Sequence, residues 1–197
     1  AQAPDVFNKG MYVLLSGVGL GINLRRQYVN MLPKIEKRNG EIKAFSIPDS
    51  IEGWGEAIKV LISSYCKHPS LYPEYFGCPI KYDYSQIRER GAFISGGFKA
   101  PGPEGLKKAI EKIEALLELK LNGDNSIKFS TITVYDIFMH ISDAVLSGGV
   151  RRSAMNVIID AEDEEMINAK MGDWFTKNPQ RARSNNSVGL IRNAFTE

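Results

Sequence analysis

Two adjacent arginines follow a pair of glycines in the segment 147–154, Ser-Gly-Gly-Val-Arg-Arg-Ser-Ala, which joins an apolar helical run to a strand-like run at 155–159. Glycine adopts positive φ and lets a ligand approach the backbone closely. Arginine presents a permanently charged fork that suits a phosphate or the edge of a base. The segment therefore predicts a contact with a phosphate or a base. The alternative is a surface loop with a glycine helix cap and two solvated arginines.

Two further glycine-containing segments could approach a ligand. The segment 17–21, Gly-Val-Gly-Leu-Gly, follows a predicted helix, whereas a dinucleotide-binding turn follows a strand and opens a helix. Close backbone approach to a sugar or base and a plain tight turn are therefore its two interpretations. Arg88 and Arg90 precede the pair Gly96 and Gly97. This combination suits either an anion held by arginine and free N–H groups or a solvated edge.

The sequence gives little support for a metal site or for a nucleophilic catalytic residue. His68 and His140 have no Cys, Asp or Glu at metal-ligand spacing. Cys66 and Cys78 form no CxxC pair, and two reduced thiols are favoured over a small disulfide loop. The acidic run 162–165 favours a helix N-terminus over a metal site. We therefore expect no metal site and no catalytic residue within this sequence.

Composition sets the broad class. The 197 residues are 43% hydrophobic and 24% charged, which is ordinary for one well-cored domain or two small ones. A net charge of +2 is too small to indicate a nucleic-acid surface, so an anion site has to be local. The chain has no apolar run long enough to span a membrane and no signal-peptide pattern. These features predict a soluble, cytoplasmic protein without a membrane or direct nucleic-acid partner.

Hydrophobic periodicity positions these segments on alternating helices and strands, which is typical of an α/β fold. The first helix is predicted over 5–16, and a second follows a capping box with Asp49 as N-cap and Glu52 at N3. A third begins at Pro103, a fourth is capped by Thr133 or a neighbour and runs into the turn at Gly148-Gly149, and a fifth spans about 160–170. Strands are predicted at 22–29, 80–84, 153–159 and 185–191.

Five ordered segments together resemble the adenosylcobalamin-dependent (class II) ribonucleotide reductases. The matching segments are 10–19 with Arg-Gln-Tyr-Val at 26–29; Asp-Ser-Ile-Glu-Gly-Trp at 49–54; Ile87-Arg88 with Gly96-Gly97 and Gly102-Pro103; 147–154; and Asn-Pro-Gln-Arg at 178–181 with Asn-Asn-Ser-Val at 185–188. The resemblance runs nearly from end to end. It implies an α/β fold with about half of a ten-stranded α/β barrel of the ribonucleotide reductase type, formed by 1–197 as a single partial domain.

The resemblance also implies an inserted helical segment at 30–84. Such an insert replaces a dimer partner around the effector site in some members, so it favours a monomer. The segment 147–154 matches the specificity loop, which lies between a deoxynucleotide effector and the substrate base. The implied partners are a ribonucleotide substrate, a deoxynucleoside triphosphate effector and the remaining pieces of the reductase, with adenosylcobalamin as cofactor of the complete enzyme.

The implied binding residues fall into two groups. The substrate group is Gly17, Gly19, Ser147, Gly148, Gly149, Arg151, Asn185, Asn186 and Ser187. The effector group is Arg88, Gly96, Gly97 and Arg152, with Arg88 on the effector phosphates.

The departures from the family pattern limit the expected activity. The family requires a cysteine that becomes a thiyl radical and two cysteines that deliver reducing equivalents, and Cys66 and Cys78 match none of them. The chain also begins without Met and ends directly after a strand-like run, which predicts a piece of a longer protein. We expect a portion of a ribonucleotide reductase that is inactive alone. The alternative is a non-catalytic deoxynucleotide-binding regulatory module.

Overall fold

The computed structural model describes residues 1–93, 99–146 and 154–190. Its larger helices are α1 (Val6–Leu15), α3 (Ile51–Tyr65), α4 (Glu104–Leu121) and α5 (Thr131–Leu146), and its short ones are α2 (Arg26–Val29), α6 (Glu164–Ile167) and α7 (Trp174–Lys177). The strands are β1 (Leu20–Asn23), β2 (Ile35–Glu36), β3 (Lys43–Ser46), β4 (Ile80–Asp83), β5 (Ser126–Ile127), β6 (Met155–Asp160) and β7 (Ser184–Gly189). Helices and strands alternate, so the predicted α/β class is confirmed.

A parallel three-stranded sheet has β6 between β1 and β7. Met155 of β6 lies opposite Leu20 of β1 on one side and Ser184 of β7 on the other, and these pairs define the register of the sheet. Successive side chains of a strand point to opposite faces. One face therefore presents Met155, Val157 and Ile159 to the apolar core, together with Ile22 of β1.

Helices cover that apolar face. α5 packs against both α1 and α4, and α3 packs against α1. Phe7 of α1 and Phe138 of α5 meet with ring centroids 5.2 Å apart. The apolar sides of α3, α4 and α5 all contribute to this core, and these three sequence-predicted helices are confirmed.

Three small sheets make up the strand content of the described residues. Besides the central sheet, β2 pairs with β5 in antiparallel fashion and β3 pairs with β4 in parallel fashion. None of the three closes into a barrel within the described part of the chain, so the half-barrel stays a prediction. No described helix has both the length and the apolar composition required to cross a membrane.

The predicted strand over 22–29 is wrong from residue 24 onwards. β1 ends at Asn23, whose Oδ1 accepts a hydrogen bond from the Arg25 N–H at 3.1 Å. Such a side-chain turn redirects the backbone, and the next residues form α2. The Arg26 N–H at the start of α2 donates to Asp160 Oδ2 at 2.7 Å. The chain therefore turns across the end of β6 instead of continuing as a strand.

Two helix predictions also need correction. Ser50, not Asp49, caps α3, since its Oγ accepts from the Gly53 N–H at 2.9 Å. The predicted helix over 160–170 is interrupted: α6 begins after the capping side chain of Asp163, and a 3-10 turn follows at Asn168–Lys170. Polar residues that can bond the backbone locally compete with continuous helix in both places.

Gly53 and Gly55 provide a matched pair of tests within α3. A Cβ at Gly53 would lie 2.2 Å from the Pro48 carbonyl oxygen, whereas a Cβ at Gly55 would lie 3.4 Å from the Asn8 carbonyl oxygen. Gly53→Ala should lower the free energy of unfolding by about 1–3 kcal/mol, because backbone has to shift. Gly55→Ala should raise it by about 0.5–1 kcal/mol, since alanine favours helix. Urea unfolding of both variants measures the difference, and equal effects would contradict this packing.

Candidate functional site

The face of the central sheet opposite the apolar core carries polar side chains on β6 and β7, interrupted by the half-buried Ile158 in the row of Ser187. Gly21, Asn156 and Asn185 lie side by side in one row across β1, β6 and β7, and all three are exposed. Ser187 lies in the next row and donates its Oγ hydrogen to Asn156 Oδ1 at 3.0 Å. A Cβ at Gly21 would meet nothing within 4 Å, so the space directly above Gly21 is free of described atoms.

This row has a definite chemical character. Amide and hydroxyl groups both donate and accept hydrogen bonds without carrying charge. They suit hydroxyls of a sugar or the edge of a base, and they provide no charge for a phosphate. The bare backbone of Gly21 lets a ligand lie close to the sheet. We define the open face as Gly21, Asn156, Asn185 and Ser187.

Asn156 was not among the sequence-predicted site residues. The signal was present, since Asn156 is the polar position between the buried Met155 and Val157 in an alternating strand. Gly21 belongs to the predicted glycine segment but was not singled out within it. Both lie in the same row as the predicted Asn185.

Asn186 lies on the opposite face from Asn185. Its Oδ1 accepts a hydrogen bond from Ser184 Oγ at 2.9 Å, and the Tyr135 hydroxyl lies 3.4 Å away. Ser184 is buried and Asn186 is half-buried. The structure therefore brings Asn185 and Ser187 to the open face and directs Asn186 towards α5.

The predicted glycines of the 17–21 segment have separate positions. Gly17 follows α1 with φ +78° and donates its N–H to the Leu14 carbonyl at 3.0 Å, which ends the helix. Gly19 lies beside Ala154, since a Cβ there would be 3.7 Å from the Ala154 carbonyl oxygen. Gly19 is thus next to the residue that follows the 147–153 segment.

Most of the predicted arginine–glycine residues lie outside the described residues: Ser147, Gly148, Gly149, Arg151, Arg152, Gly96 and Gly97. Their flanking residues are described. α5 ends at Leu146, and the Leu20 N–H of β1 donates to the Ala154 carbonyl at 2.9 Å. Arg88 forms an ion pair through its Nε with the Asp49 carboxylate at the start of α3. Arg88 is therefore compensated by Asp49.

A buried ion pair positions the start of β7. The Arg181 guanidinium binds the Asp136 carboxylate through two hydrogen bonds of 2.8 and 2.7 Å, and its third nitrogen donates to the Ala169 carbonyl at 2.9 Å. Both side chains are nearly buried. Burial alone would lower the pKa of Arg181, but the bonds to Asp136 outweigh it and hold that pKa above its usual value.

Two neighbouring groups reinforce this attachment. The Tyr135 hydroxyl lies 3.0 Å from Ser184 Oγ, and burial raises the pKa of Tyr135. The Lys170 ammonium donates to the Ser184 carbonyl, and burial lowers the pKa of Lys170. The first residue of β7 is therefore held by α5 and by the 3-10 turn before α7. Sequence reasoning missed Asp136 and Lys170, because nothing local links them to β7.

Comparisons with known proteins agree on one family. A probable adenosylcobalamin-dependent ribonucleoside-triphosphate reductase of Dictyostelium discoideum is 36% identical over 149 residues, which cover 73% of this chain and 18% of the relative. The Euglena gracilis protein named adenosylcobalamin-dependent ribonucleoside-triphosphate reductase is 32% identical over 152 residues, with the same two coverages. The chain belongs to the adenosylcobalamin-dependent ribonucleotide reductase family.

Two further matches cover a larger share of this chain. The Lactobacillus delbrueckii protein of the same name is 26% identical over 208 residues, covering 90% of this chain and 27% of the relative. A crystal structure described as a B-12 dependent (class II) ribonucleotide reductase aligns with a TM-score of 0.77 over 93% of this chain and 28% of that chain, at 23% identity, and so agrees in fold. None of the protein-family models searched matches the chain. The chain thus spans 18% to 27% of these relatives' own length.

Arg181 and Arg183 provide a second matched pair. Arg181→Ala should lower the free energy of unfolding by about 3–5 kcal/mol, because it leaves the buried Asp136 carboxylate without its partner. Arg183 pairs with Asp143 at 2.6 Å, but both side chains are about 40% exposed. Arg183→Ala should therefore change stability by less than about 1 kcal/mol. Chemical denaturation of both variants measures this, and similar losses would refute the anchoring role of Arg181.

Proposed function

We propose that this chain is the portion of a ribonucleotide reductase that forms part of the wall around the substrate. The complete enzyme would convert ribonucleoside triphosphates to deoxyribonucleoside triphosphates by radical chemistry initiated from adenosylcobalamin. The relatives are named as adenosylcobalamin-dependent reductases of ribonucleoside triphosphates. The observation that carries the proposal is the open face. It is an uncharged hydrogen-bonding surface on a sheet whose other face is packed against helices.

The open face fits the ribose and base of a nucleotide better than its phosphates. Asn156 and Asn185 each offer one acceptor and two donor hydrogens, and Ser187 is already oriented by its bond to Asn156. Such preformed bonds hold a substrate hydroxyl in one orientation at low entropic cost. These side chains would bind and orient the substrate, and none of them would carry a proton or electron in the reaction.

The segment 147–153 would act as the specificity loop between substrate and effector. Ser147, Gly148, Gly149 and Arg151 would face the substrate base. In support, Ala154 at the end of this segment lies against Gly19, at the edge of the sheet where the open face begins. Substrate contacts at Gly17, Gly19 and Asn186 are also part of the proposal, although Gly17 ends α1 and Asn186 points to α5.

The effector would be a deoxynucleoside triphosphate held by Arg88, Gly96, Gly97 and Arg152. Arg88 is paired with Asp49, and both side chains remain partly exposed. A phosphate would therefore have to displace the Asp49 carboxylate from the Arg88 guanidinium or bind the guanidinium together with it. The segment 30–84, which holds Asp49, would then contribute to the effector site as an insert, in a monomeric enzyme.

Adenosylcobalamin supplies the radical-initiating chemistry in this proposal. The described residues do not form a site for its corrin. Their buried side-chain polar atoms without a partner belong to Asn8 and Arg38, which lie in α1 and before β3 and not in the central sheet. We therefore assign the cofactor to other segments of the enzyme and derive no step through it from this chain.

The cysteine chemistry is assigned to other segments as well. Cys66 ends α3 and is buried, and burial raises the pKa of its thiol to about 12. Cys78 precedes β4, and its Sγ lies 3.6 Å from the Phe76 carbonyl. Neither residue is in the central sheet. The radical and reducing cysteines would come from the rest of a barrel of which this chain supplies about half.

Reconstitution tests the proposed reaction. Formation of deoxyribonucleotides from ribonucleoside triphosphates and adenosylcobalamin is measured for the chain alone and after adding polypeptides that carry the remaining reductase segments. Turnover is expected only in the mixtures, because the chain provides substrate contacts without the radical cysteine. Nucleotide binding without turnover in every mixture would instead support a non-catalytic regulatory module. If the chain binds no nucleotide in any mixture, both functions are excluded.

Substitutions on the open face test which residues contact the substrate. In the reconstituted enzyme, Asn156→Ala and Asn185→Ala should each lower kcat/KM by about tenfold, the cost of one lost hydrogen bond in a buried complex. The free energy of unfolding should change by less than about 0.5 kcal/mol, since both side chains are exposed. Asn39→Ala, at an exposed loop position, is the control. Unchanged kcat/KM in both sheet variants would remove the open face from the substrate site.

A further inference from the structure

A second site candidate lies on the helical side of the molecule. A cavity of about 620 Å³ opens between the start of α4, the second half of α5 and the segment 177–183. Cavities of this size accommodate small-molecule ligands. Its polar and charged wall includes Lys108, Lys112, His140, Asp143, Lys177 and Arg183. None of the open-face residues contributes to it.

The charges around the cavity are unbalanced. Four cations face one carboxylate, and that carboxylate, Asp143, already pairs with Arg183 at 2.6 Å. Lys108, Lys112 and Lys177 form no ion pair with any described residue. Since the whole chain carries a net charge of only +2, this accumulation is local.

Two lysines of this wall lie on one side of α4. Lys108 and Lys112 are four residues apart, so they repel each other. Glu104 of the first turn lies four residues before Lys108 and offsets part of this repulsion. Pro103 at the N-cap provides no side-chain hydrogen bond, and Gly105 of the first turn lines the cavity. Positive charge and a helix end without a side-chain cap thus meet at one wall, the arrangement that an anion stabilises.

His140 adds a neutral hydrogen-bonding group to this wall. Burial lowers the pKa of His140, with a smaller contribution from Lys108 and Lys112, while Asp136 and Asp143 act in the opposite direction. Apolar atoms of Ala109, Ala144 and Leu146 complete the lining. The cavity therefore joins a cationic wall to a small apolar surface.

We propose that this cavity binds the polyphosphate group of a phosphorylated metabolite, with Lys108, Lys112, Lys177 and Arg183 supplying the positive charge. A chain of phosphates matches several cations spread along a wall better than a single carboxylate does. The site is distinct from Arg88, which does not line the cavity. It would lie at the foot of the 147–153 segment, because Leu146 is the last residue of α5.

Calorimetric titration of the chain with inorganic tripolyphosphate tests the site directly. The double variant Lys108→Gln/Lys112→Gln should bind about tenfold more weakly, since it removes two charge-assisted contacts at a half-exposed wall. The control Lys107→Gln/Lys120→Gln changes the net charge equally on the same helix but leaves the lining intact. Equal losses in both double variants would show general charge attraction and overturn the proposal.

His140 provides an independent readout at the site. The chain has two histidines, His68 and His140, so their ring signals can be assigned in NMR titrations. Bound tripolyphosphate should raise the pKa of His140, because its charge offsets Lys108 and Lys112 on α4 and Lys177 and Arg183 on the opposite wall. The ring signals of His68 should not respond to tripolyphosphate. A His140 pKa that is unaffected by saturating tripolyphosphate would also overturn the proposal.

Two further titrations identify the source of the phosphates. The ligand is a nucleotide if deoxyadenosine triphosphate binds more tightly than tripolyphosphate and if Lys108→Gln/Lys112→Gln weakens its binding. Equal affinities support recognition of the phosphate chain alone. Deoxyadenosine that binds as well as its triphosphate would contradict phosphate recognition. The assays use the chain without turnover, so their outcome is separate from that of the proposed reductase activity.

Discussion

The alternation of β6 is the constraint on which the rest of the structure depends. Met155, Val157 and Ile159 are nearly inaccessible, and Asn156 between them is exposed. A shift of one residue in the pairing with β1 or β7 would bury Asn156 without partners and expose three apolar side chains. The apolar core therefore fixes the register, and the register in turn fixes which polar groups form the open face.

Helix α5 connects the central sheet to the rest of the molecule through its packing contacts. It contacts α1, α4 and the segment that leads into β7, and most of its side chains are buried. The polar side chains of this helix have specific partners: Thr131 bonds to Asp163, and Asp136 bonds to Arg181. Buried polar groups are costly unless they are satisfied, so these bonds fix how the helix is oriented. The same helix leads into the 147–153 segment at one end and borders the basic cavity along its side.

Sequence patterns predicted what local periodicity and capping determine. The stripes of α3, α4 and α5 and the strand at 155–160 follow from apolar spacing alone. Where a side chain competes with the backbone over two or three residues, as at Asn23 and Asp163, periodicity gave the wrong element or the wrong length. The family was predictable because five short segments in a fixed order are specific together.

Contacts between distant segments were not predictable. Asp136 and Arg181 are 45 residues apart, and the pairing of Gly21 with Asn156 depends on a parallel register that no local pattern encodes. The cavity on the helical side has the same origin, since Lys112 and Lys177 come together only when α5 packs against both α4 and the segment 179–183. Asn185 and Asn186 illustrate the remaining difficulty, because neighbours in a strand face opposite sides and only the fold decides which side is open.

The Arg181–Asp136 pair has a consequence for how this sheet can change over evolution. β7, Ser-Asn-Asn-Ser-Val-Gly, contains little that hydrophobic burial could hold in place. Its position depends on a charged anchor outside the strand and on backbone pairing with β6. Side chains on its exposed side can therefore be exchanged without disturbing the core. If the open face contacts the substrate as proposed, substrate preference and fold stability depend on different residues, so selection could adjust one without altering the other.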